Sequence, residues 1–528
     1  MSIENKIEEY RKEGFPKVWV SDQGDGTFKN PVLHADYSDP DIIRVGDDFF
    51  MVASSFNCIP GLPVLHSKDL VNWQMVNYIV DEIPFPNYSK PQHGRAIWAP
   101  SIRYHDGYYW VYVGMPDEGI FMSKTQDPFG KWDPLVCVKK VRGWIDPCPF
   151  WDDDGNAYLV NAFARSRIGF KSVLAINKMD PDGTRLLDEF RIVIDGNMDQ
   201  PTIEGPKMYK RNGYYYISAP AGGVATGWQV ILRSKHVYGP YETKKVLHQG
   251  NTPINGPHQG GWVELESGET WFMHFQDKGA YGRIVHLQPV HWVEDWPLMG
   301  ENSNEKGMGE PVLHYKKPEV GQIYPIQVPV TSDDFNEERL GLQWQWHANE
   351  GKKWYSLKEK KDHIRLYCVN ALEDEGKTLW ETPNLLMQKF PALQFEVTTK
   401  MEFHPTMLED QAGLVVMGFE YASLTLQKAK KGMKLVLTKG NGPENIEKEE
   451  TGVYIDQFEI YFRVTVTEGA ECFFSYSLDG KEFVNIGEKL IAREGRWIGA
   501  KVGIFSTNLQ EKNSKGYADF DWVLVEEI

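Results

Sequence analysis

One turn signal recurs five times in the first half of this 528-residue chain, and it restricts the fold more than any other feature of the sequence. Each turn is followed by an aromatic, strand-like run. Short turn dipeptides between β-rich runs are strong hairpin signals, so this half is predicted to consist of repeated β-hairpins. The five dipeptides are Gly46-Asp47, Asp106-Gly107, Asp154-Gly155, Asn212-Gly213 and Ser267-Gly268.

A distinctive segment precedes each of these turns. The marker residues of the five segments are 59, 48, 58 and 54 positions apart. A period of about 50 residues with several short strands per unit is typical of propeller blades. We therefore expect a five-bladed β-propeller over residues 1–325. The markers are Asp39, Trp98, Asp146, Glu204 and His258.

The repeat has a consequence for function. If each marker opens the innermost strand of its blade, all five lie at one end of the propeller axis. Three of them, Asp39, Asp146 and Glu204, are carboxylates that would then share one pocket. Alternatively, Asp-Pro and Glu-Gly-Pro simply start strands, but three acids at equivalent positions of one repeat favour a site.

The second half lacks the repeat and has many short strand-like runs with almost no helical period. Residues 326–528 are therefore predicted to form a β-sandwich, most simply a jelly roll, which makes the whole chain all-β. Asp334 near its start and Asp521 near its end could meet on adjacent strands and hold a calcium ion, since hard cations prefer oxygen ligands. The alternative is two solvated acids at strand edges.

Charge and composition exclude several classes of partner. The chain has 57 Lys and Arg against 74 Asp and Glu, a net charge of −17, which disfavours nucleic acids and anionic membranes. No apolar run approaches the roughly 18 residues of a membrane helix. The five cysteines have no CxxC spacing and the first residues have no apolar signal region, so a cytoplasmic protein with reduced thiols is expected.

Three carboxylates among aromatic residues, without a Cys/His metal cluster, favour glycoside hydrolysis. One carboxylic acid protonates the leaving oxygen, and a second carboxylate activates water or attacks the sugar. The acid must keep its proton near neutral pH. Burial or a neighbouring negative charge achieves this by raising its pKa, so the third carboxylate has a role in tuning the acid.

The segments that contain the markers resemble family 43 glycoside hydrolases, which are five-bladed propellers with an inverting mechanism. The resemblance covers residues 29 to about 325, and the second half resembles the concanavalin-like sandwich of β-xylosidase-type members. The segments are NPVLHADYSDPDIIRVGDDFFMVASSF, IWAPSIRYHDGYYWVY, GWIDPCPFWDDDGNAYLVN and IEGPKMYKRNGYYYIS.

The resemblance assigns roles to the three carboxylates. Asp39, in SDPD, matches the general base, and Asp41 two residues on is the competing candidate because it would face the same side of a strand. Glu204, in EGP, matches the general acid. Asp146, in IDP, matches the carboxylate that orients the acid and raises its pKa.

Four further residues match the family's pocket. Trp98 and Phe56 match aromatic residues of the sugar-binding wall, with blade packing as the alternative. Arg283 matches an arginine that hydrogen-bonds sugar hydroxyls, with a surface salt bridge as the alternative. His258 matches a histidine on the propeller axis that lies beside a calcium or other ion, usually through water, with a purely structural histidine as the alternative.

The expected function is an inverting exo-glycoside hydrolase acting on xylan- or arabinan-derived oligosaccharides. It would release terminal β-D-xylose, α-L-arabinofuranose or both, because the two pentoses overlap in shape. The sandwich favours exo action, since in related enzymes it narrows the mouth of the pocket. An endo-arabinanase and a non-catalytic carbohydrate-binding propeller are the alternatives, and homo-oligomerisation stays open.

Overall fold

The computed structural model describes residues 3–302, 307–371, 378–510 and 513–528. Helix α1 (Ile3–Glu13) and strand β1 (Thr27–Lys29) precede five four-stranded antiparallel sheets. The first two sheets consist of β2 (Asp41–Val45), β3 (Asp48–Val52), β4 (Gly61–Ser67) and β5 (Trp73–Val80), and of β6 (Pro100–His105), β7 (Tyr108–Met115), β8 (Gly119–Thr125) and β9 (Val136–Lys139).

The third sheet contains a single-turn helix, α2 (Arg165–Ile168), between its second and third strands. The remaining propeller strands are β10 (Trp144–Trp151), β11 (Ala157–Phe163), β12 (Val173–Met179) and β13 (Arg191–Asp195); β14 (Lys207–Arg211), β15 (Tyr214–Ala221), β16 (Trp228–Ser234) and β17 (Glu242–His248); and β18 (His258–Glu264), β19 (Thr270–Asp277), β20 (Arg283–Val293) and β21 (Trp296–Met299).

Each sheet is one blade, with its four strands in chain order, and the first strand of each blade contacts a neighbouring blade. Each of the five predicted turn dipeptides lies in the loop between the first two strands of a blade. The five-bladed propeller is therefore confirmed. The first strand of each blade runs away from one face of the disc, called here the upper face, and its turn lies at the lower face.

The ends of the propeller segment are joined by a two-stranded sheet between β1 and β22 (His314–Lys316). Next to it, the Asn30 amide donates to the carbonyl oxygens of Leu287 and Val312, both at 2.8 Å. The segment before the first blade is thus fastened to the last blade, which closes the ring.

The second half is a β-sandwich, as the sequence predicts, with a seven-stranded and an eight-stranded sheet. The first sheet has the order β23-β26-β36-β28-β29-β30-β31, and the second the order β24-β25-β37-β27-β32-β33-β34, with β35 paired to β33. Their bounds are β23 (Gln345–Trp346), β24 (Tyr355–Ser356), β25 (Ile364–Tyr367), β26 (Leu385–Lys389), β27 (Phe395–His404), β28 (Asp410–Met417), β29 (Glu420–Ala429), β30 (Gly432–Asn441), β31 (Ile446–Ile455), β32 (Glu459–Thr467), β33 (Glu471–Ser477), β34 (Val484–Asn485), β35 (Leu490–Ile491), β36 (Lys501–Asn508) and β37 (Tyr517–Glu527).

Helix α1 precedes the propeller in sequence but packs on the sandwich. Its buried residues Ile3 and Ile7 contact Tyr461, Trp522 and Leu524 of the eight-stranded sheet. Among the described residues, the helices are too short to cross a lipid bilayer.

The sandwich contacts the upper face of the propeller through main-chain hydrogen bonds. Ile59 and Trp346 pair as an isolated β-bridge, and the Ala500 amide donates to the carbonyl of Ala280 at 2.7 Å. The Asp36 carboxylate accepts from the amides of Arg283 and Gly499, at 2.8 and 2.9 Å. These contacts place the loop before β36 at the mouth of the propeller.

Candidate active site

The predicted carboxylates lie at the upper face because the backbone turns sharply just before or within the first strands of the blades. Asp39 and Asp146 have left-handed backbones, with φ of 56° and 55°, and Gly205 after Glu204 has φ of 56°. At Asp146 the pairing of β10 with β11 is interrupted by a register shift. Aspartate tolerates this conformation better than most residues, and such strain is typical of functional sites.

Asp39 is buried in a network of donors. Its Oδ2 accepts from the hydroxyls of Ser38 at 2.7 Å and Ser54 at 2.6 Å. Arg283 Nη1 lies 3.3 Å from Asp39 Oδ1 and donates to the Ser38 hydroxyl at 2.7 Å. This network fixes the carboxylate, and it places the predicted arginine beside the predicted base.

The competing candidate, Asp41, points into the interior of the propeller. It is fully buried, and its Oδ2 accepts from Arg103 Nη1 at 2.7 Å and from the amide of Ile102 at 2.9 Å. Asp41 thus joins the first blade to the second. Its pairing with Arg103 favours a structural role and favours Asp39 as the base.

Glu204 is the most accessible of the three carboxylates, with a side chain that is 26% exposed. Its Oε1 lies 2.9 Å from Nε2 of the buried His258. A Cβ on Gly205 would lie 2.7 Å from the Gln259 side chain, so the tight turn after Glu204 requires glycine. The histidine and the turn together aim the carboxyl group at the mouth.

Asp146 is the most buried of the three acids, with 1% exposed. Its Oδ2 accepts from the amide of Gly205 at 2.8 Å. Burial raises the pKa of Asp146 well above its usual range, and the charges of Glu204 and Asp39 raise it further. Lys207, which donates to Ser101 and to the carbonyl of Pro100, only partly offsets this pKa shift.

Burial and the neighbouring charges favour the protonated form of Asp146, so Asp146 keeps its proton to higher pH than an ordinary aspartate. Glu204 is the more exposed of these two acids and can contact a bound molecule. The site therefore combines a carboxylate at Asp39 that is held by donors, an exposed carboxyl group at Glu204 and a buried carboxyl group at Asp146. Acid–base cleavage of a glycosidic bond requires such a set of carboxyl groups.

The structure brings the two aromatic residues of the predicted wall together, and the sandwich adds a third. The Trp98 indole donates to the carbonyl of Gly94 at 3.0 Å, and buried Phe56 lies against it with ring centroids 6.4 Å apart. Trp497, from the sandwich loop, meets Trp98 edge-on at 6.3 Å and lies 5.9 Å from the Arg283 guanidinium. Phe56 supports the wall, while Trp98 and Trp497 form its accessible part.

The predicted axial ion is not tested by this structure, but the surroundings of His258 restrict it. Its Nδ1 is buried and has no partner among the described residues, which fits a water on the axis. Calcium prefers oxygen ligands, so an ion there would contact His258 through water.

Asp334 and Asp521, the second predicted calcium ligands, are brought together by a cation of the chain itself. Arg11 of helix α1 donates to Asp334 Oδ2 at 3.3 Å and to Asp521 Oδ1 at 2.8 Å. The guanidinium supplies the positive charge that the sequence interpretation assigned to calcium. Calcium binding by these two residues remains a prediction.

Trp497 and Asp36 are site residues that the sequence analysis did not identify. Trp497 lies in a loop outside the fivefold repeat, so no periodic signal marks it. Asp36 precedes the first marker by three residues and acts through main-chain amides, which leave no pattern in a single sequence.

Comparison with known proteins supports this picture. Residues 28–297 match the model of glycosyl hydrolases family 43, and residues 332–526 match the β-xylosidase C-terminal concanavalin A-like domain. The chain is 41% identical to a putative beta-xylosidase of Xylanibacter ruminicola, over 94% of this chain and 89% of the relative. It is 29% identical to a non-reducing end alpha-L-arabinofuranosidase of Bacteroides ovatus, over 94% of each.

A solved structure extends the likeness to both domains. The crystal structure of a mutant family 43 protein from Bacillus licheniformis superposes with a TM-score of 0.82 at 26% identity, covering 95% of this chain and all of that one. The family models together span the propeller and the sandwich. The chain therefore belongs to glycosyl hydrolases family 43.

Proposed function

We propose that this enzyme is an inverting, exo-acting glycoside hydrolase that removes terminal pentoses, β-D-xylose or α-L-arabinofuranose, from short oligosaccharides. The observation that carries the proposal is the arrangement of Asp39, Asp146 and Glu204 at one closed mouth. The names of the full-length relatives, β-xylosidase and α-L-arabinofuranosidase, support the choice of pentoses.

The residues act in a single displacement. Asp39 accepts a proton from a water molecule, whose oxygen attacks the anomeric carbon. Glu204 donates its proton to the glycosidic oxygen as the bond to the leaving sugar breaks. Arg283, fixed beside Asp39, is within reach of a sugar hydroxyl, and Trp98 offers an apolar face to the ring.

Exo action is supported by the sandwich loop. An endo-acting enzyme needs an open groove across the upper face. Trp497 contacts Trp98 at one side of the mouth, and the Asp36–Gly499 hydrogen bond anchors its loop. A chain end fits this arrangement better than the middle of a polysaccharide.

The test is a panel of 4-nitrophenyl β-D-xylopyranoside, 4-nitrophenyl α-L-arabinofuranoside and linear arabinan. We expect turnover of one or both pentosides by the wild type and by the control Asp153→Asn, whose exposed side chain lies at the lower face. Asp39→Asn should be inactive on all of them. Faster release of internal fragments from arabinan would favour an endo-arabinanase, and no turnover of any substrate would overturn the proposal.

A further inference from the structure

Four arginines surround a cavity of about 350 Å³ next to the aromatic wall. It lies at the upper face, between the second and third blades and the sandwich loop. Its titratable lining residues are Arg95, Arg142, Arg167, Arg496, Asp117 and His93.

The cavity is built jointly by the two domains. Gly94 has φ of 70°, and a Cβ there would lie 2.3 Å from Arg496 Cγ and 2.9 Å from Trp497 Cδ1. Glycine at this position therefore allows the sandwich loop to approach the propeller and to bring Arg496 to the cavity. Neither domain alone provides the complete set of arginines.

Positive charge exceeds negative charge in this cavity. Asp117 is the only carboxylate that lines it in the described part of the chain, and it is bound by both Arg167 Nε and Nη2, at 2.9 and 3.0 Å. Arg142 Nε lies 3.9 Å from the same carboxylate. Among described residues, no carboxylate lies within 4.0 Å of the guanidinium groups of Arg95 and Arg496.

The neutral state of His93 leaves the arginines as the source of this charge. Its ring stacks on Trp380, and burial lowers the pKa of His93 to about 4. The excess of positive charge is local, because the chain as a whole has a net charge of −17. A cationic cavity on an acidic protein indicates selection for an anion.

The cavity adjoins the reaction centre through Trp98. The Arg167 guanidinium lies 5.5 Å from the Trp98 ring, and the indole donates to Gly94, which lines the cavity. Trp497 belongs to both the wall and the cavity lining. In an exo-acting enzyme the terminal sugar occupies the pocket, so the leaving-group side of the oligosaccharide points out through the mouth at the upper face, where the cavity lies.

We propose that this cavity binds a carboxylate on the leaving-group side of the oligosaccharide, so that the enzyme prefers acidic substrates to neutral ones. The inference rests on the proposed function and specifies its substrate class. Guanidinium groups bind carboxylates through paired, charge-assisted hydrogen bonds, which suits sugar acids. The carboxylate belongs either to a uronic acid branch on the second sugar or to an aldonic acid at the reducing end.

The experiment compares kcat/KM for matched acidic and neutral substrates that are built from xylose. Xylobionic acid and its amide differ only in the charge of the terminal group. Xylotriose with and without glucuronic acid on the middle xylose tests the branched source. We expect about a tenfold preference for at least one acidic member at low ionic strength, falling to about twofold in 1 M NaCl.

Variants locate the effect. The double variant Arg142→Gln/Arg496→Gln should reduce the acidic-to-neutral ratio to about twofold or less. Arg185→Gln removes an exposed arginine at the lower face and should leave the ratio unchanged. The salt dependence of the wild type tests the proposal even if the double variant does not fold.

The outcomes separate this inference from the proposed function. Cleavage of the neutral substrates with a ratio near one for both pairs overturns the acidic preference and leaves the glycosidase standing. A salt-sensitive preference that survives in the double variant assigns the selectivity to another surface and also overturns the inference. Cleavage of neither member overturns the acidic preference, unless the Glu204→Gln variant binds xylobionic acid about tenfold more tightly than its amide in calorimetry. The proposed function is then decided separately, by turnover of the two nitrophenyl pentosides.

Discussion

The mouth of the propeller and the outer face of the sandwich both bring carboxylates together, but they balance the charge differently. At the mouth, no lysine or arginine of the described residues forms an ion pair with Asp146, and burial raises the pKa of Asp146. On the sandwich, Arg11 bridges Asp334 and Asp521, and Arg365 binds Asp519 through two hydrogen bonds. Asp334, Asp521 and Asp519 are thus paired with arginines, whereas Asp146 accepts its hydrogen bond from the main-chain amide of Gly205.

This difference in charge pairing indicates which carboxylates have a chemical function. An unpaired buried carboxylate costs stability, so it persists where the raised proton affinity is useful. A carboxylate paired with a cation contributes modestly to stability, and the pairing leaves it less available to act as an acid or a base. The predictions below test this contrast, from the largest expected effect to the smallest.

The largest effect is expected for Glu204→Gln, which keeps the shape of the side chain but removes its proton. Activity on xylobiose should fall by about 10²–10⁴-fold, because general acid catalysis is worth that much. Loss on aryl pentosides with good leaving groups should be much smaller. Glu242→Gln, an exposed acid paired with Arg233, is the matched control. Equal losses on both classes of substrate would contradict the acid role.

A smaller effect is expected for Trp497→Ala, which tests whether the sandwich contributes to the mouth. The variant removes an aromatic face beside Trp98, so kcat/KM on xylobiose should fall by about tenfold, mainly through KM. Trp497→Phe should recover most of the activity. Phe458→Ala, at an exposed aromatic residue of the same domain, should have no effect. Unchanged KM in Trp497→Ala would limit the sandwich to a structural role.

Asp146→Asn should make the protein more stable while reducing its activity. The folded-state pKa of Asp146 is raised, so above about pH 4 the unfolded chain ionises first and the wild type loses stability as pH rises. Asparagine removes this loss. The gain in the free energy of unfolding should be near zero at pH 4 and should grow toward pH 8 to the order of 1 kcal/mol, measured as a growing difference in Tm.

A pH–rate profile of the same variant completes the Asp146→Asn prediction. Where Asp146 ionises at high pH, its negative charge opposes ionisation of the general acid, and asparagine removes that opposition. The alkaline limb of kcat/KM should therefore move to lower pH. A less stable variant at pH 8, or an unmoved alkaline limb, would contradict the charge argument.

The smallest effect is expected for Arg11→Gln on the sandwich. Its partly exposed ion pairs with Asp334 and Asp521 are worth less than about 1 kcal/mol, so Tm should fall slightly. Lys12→Gln on the same helix is the control. A calcium-dependent rise in the Tm of the wild type that is lost in Asp334→Asn would instead support the predicted calcium site.

The residues that the sequence predicts well are those tied to the repeat. Asp39, Asp146 and Glu204 occupy equivalent places in the first, third and fourth blades, so finding the period also brings them into one pocket. From the sequence, Asp39 is preferred to Asp41 as the general base only because of the resemblance to family 43. The structure supplies the physical reason, since Arg103 holds Asp41 in the interior.

Contacts between distant segments without periodicity are not predictable in this way. Helix α1 is separated by more than 300 residues from Asp334, and nothing local to Arg11 marks its two partners. Trp497 likewise reaches the mouth only because Gly94 and Asp36 allow its loop to dock. Both features depend on tertiary packing between domains, which a single sequence does not encode as a pattern.

The central claim is that Asp39 activates water for a single displacement assisted by Glu204. Proton NMR of the first pentose released from a β-D-xyloside, recorded before mutarotation, tests it most directly. The account predicts that α-D-xylose appears first, with the configuration inverted. Initial release of β-D-xylose would require a covalent intermediate and would contradict the role of Asp39 as a base.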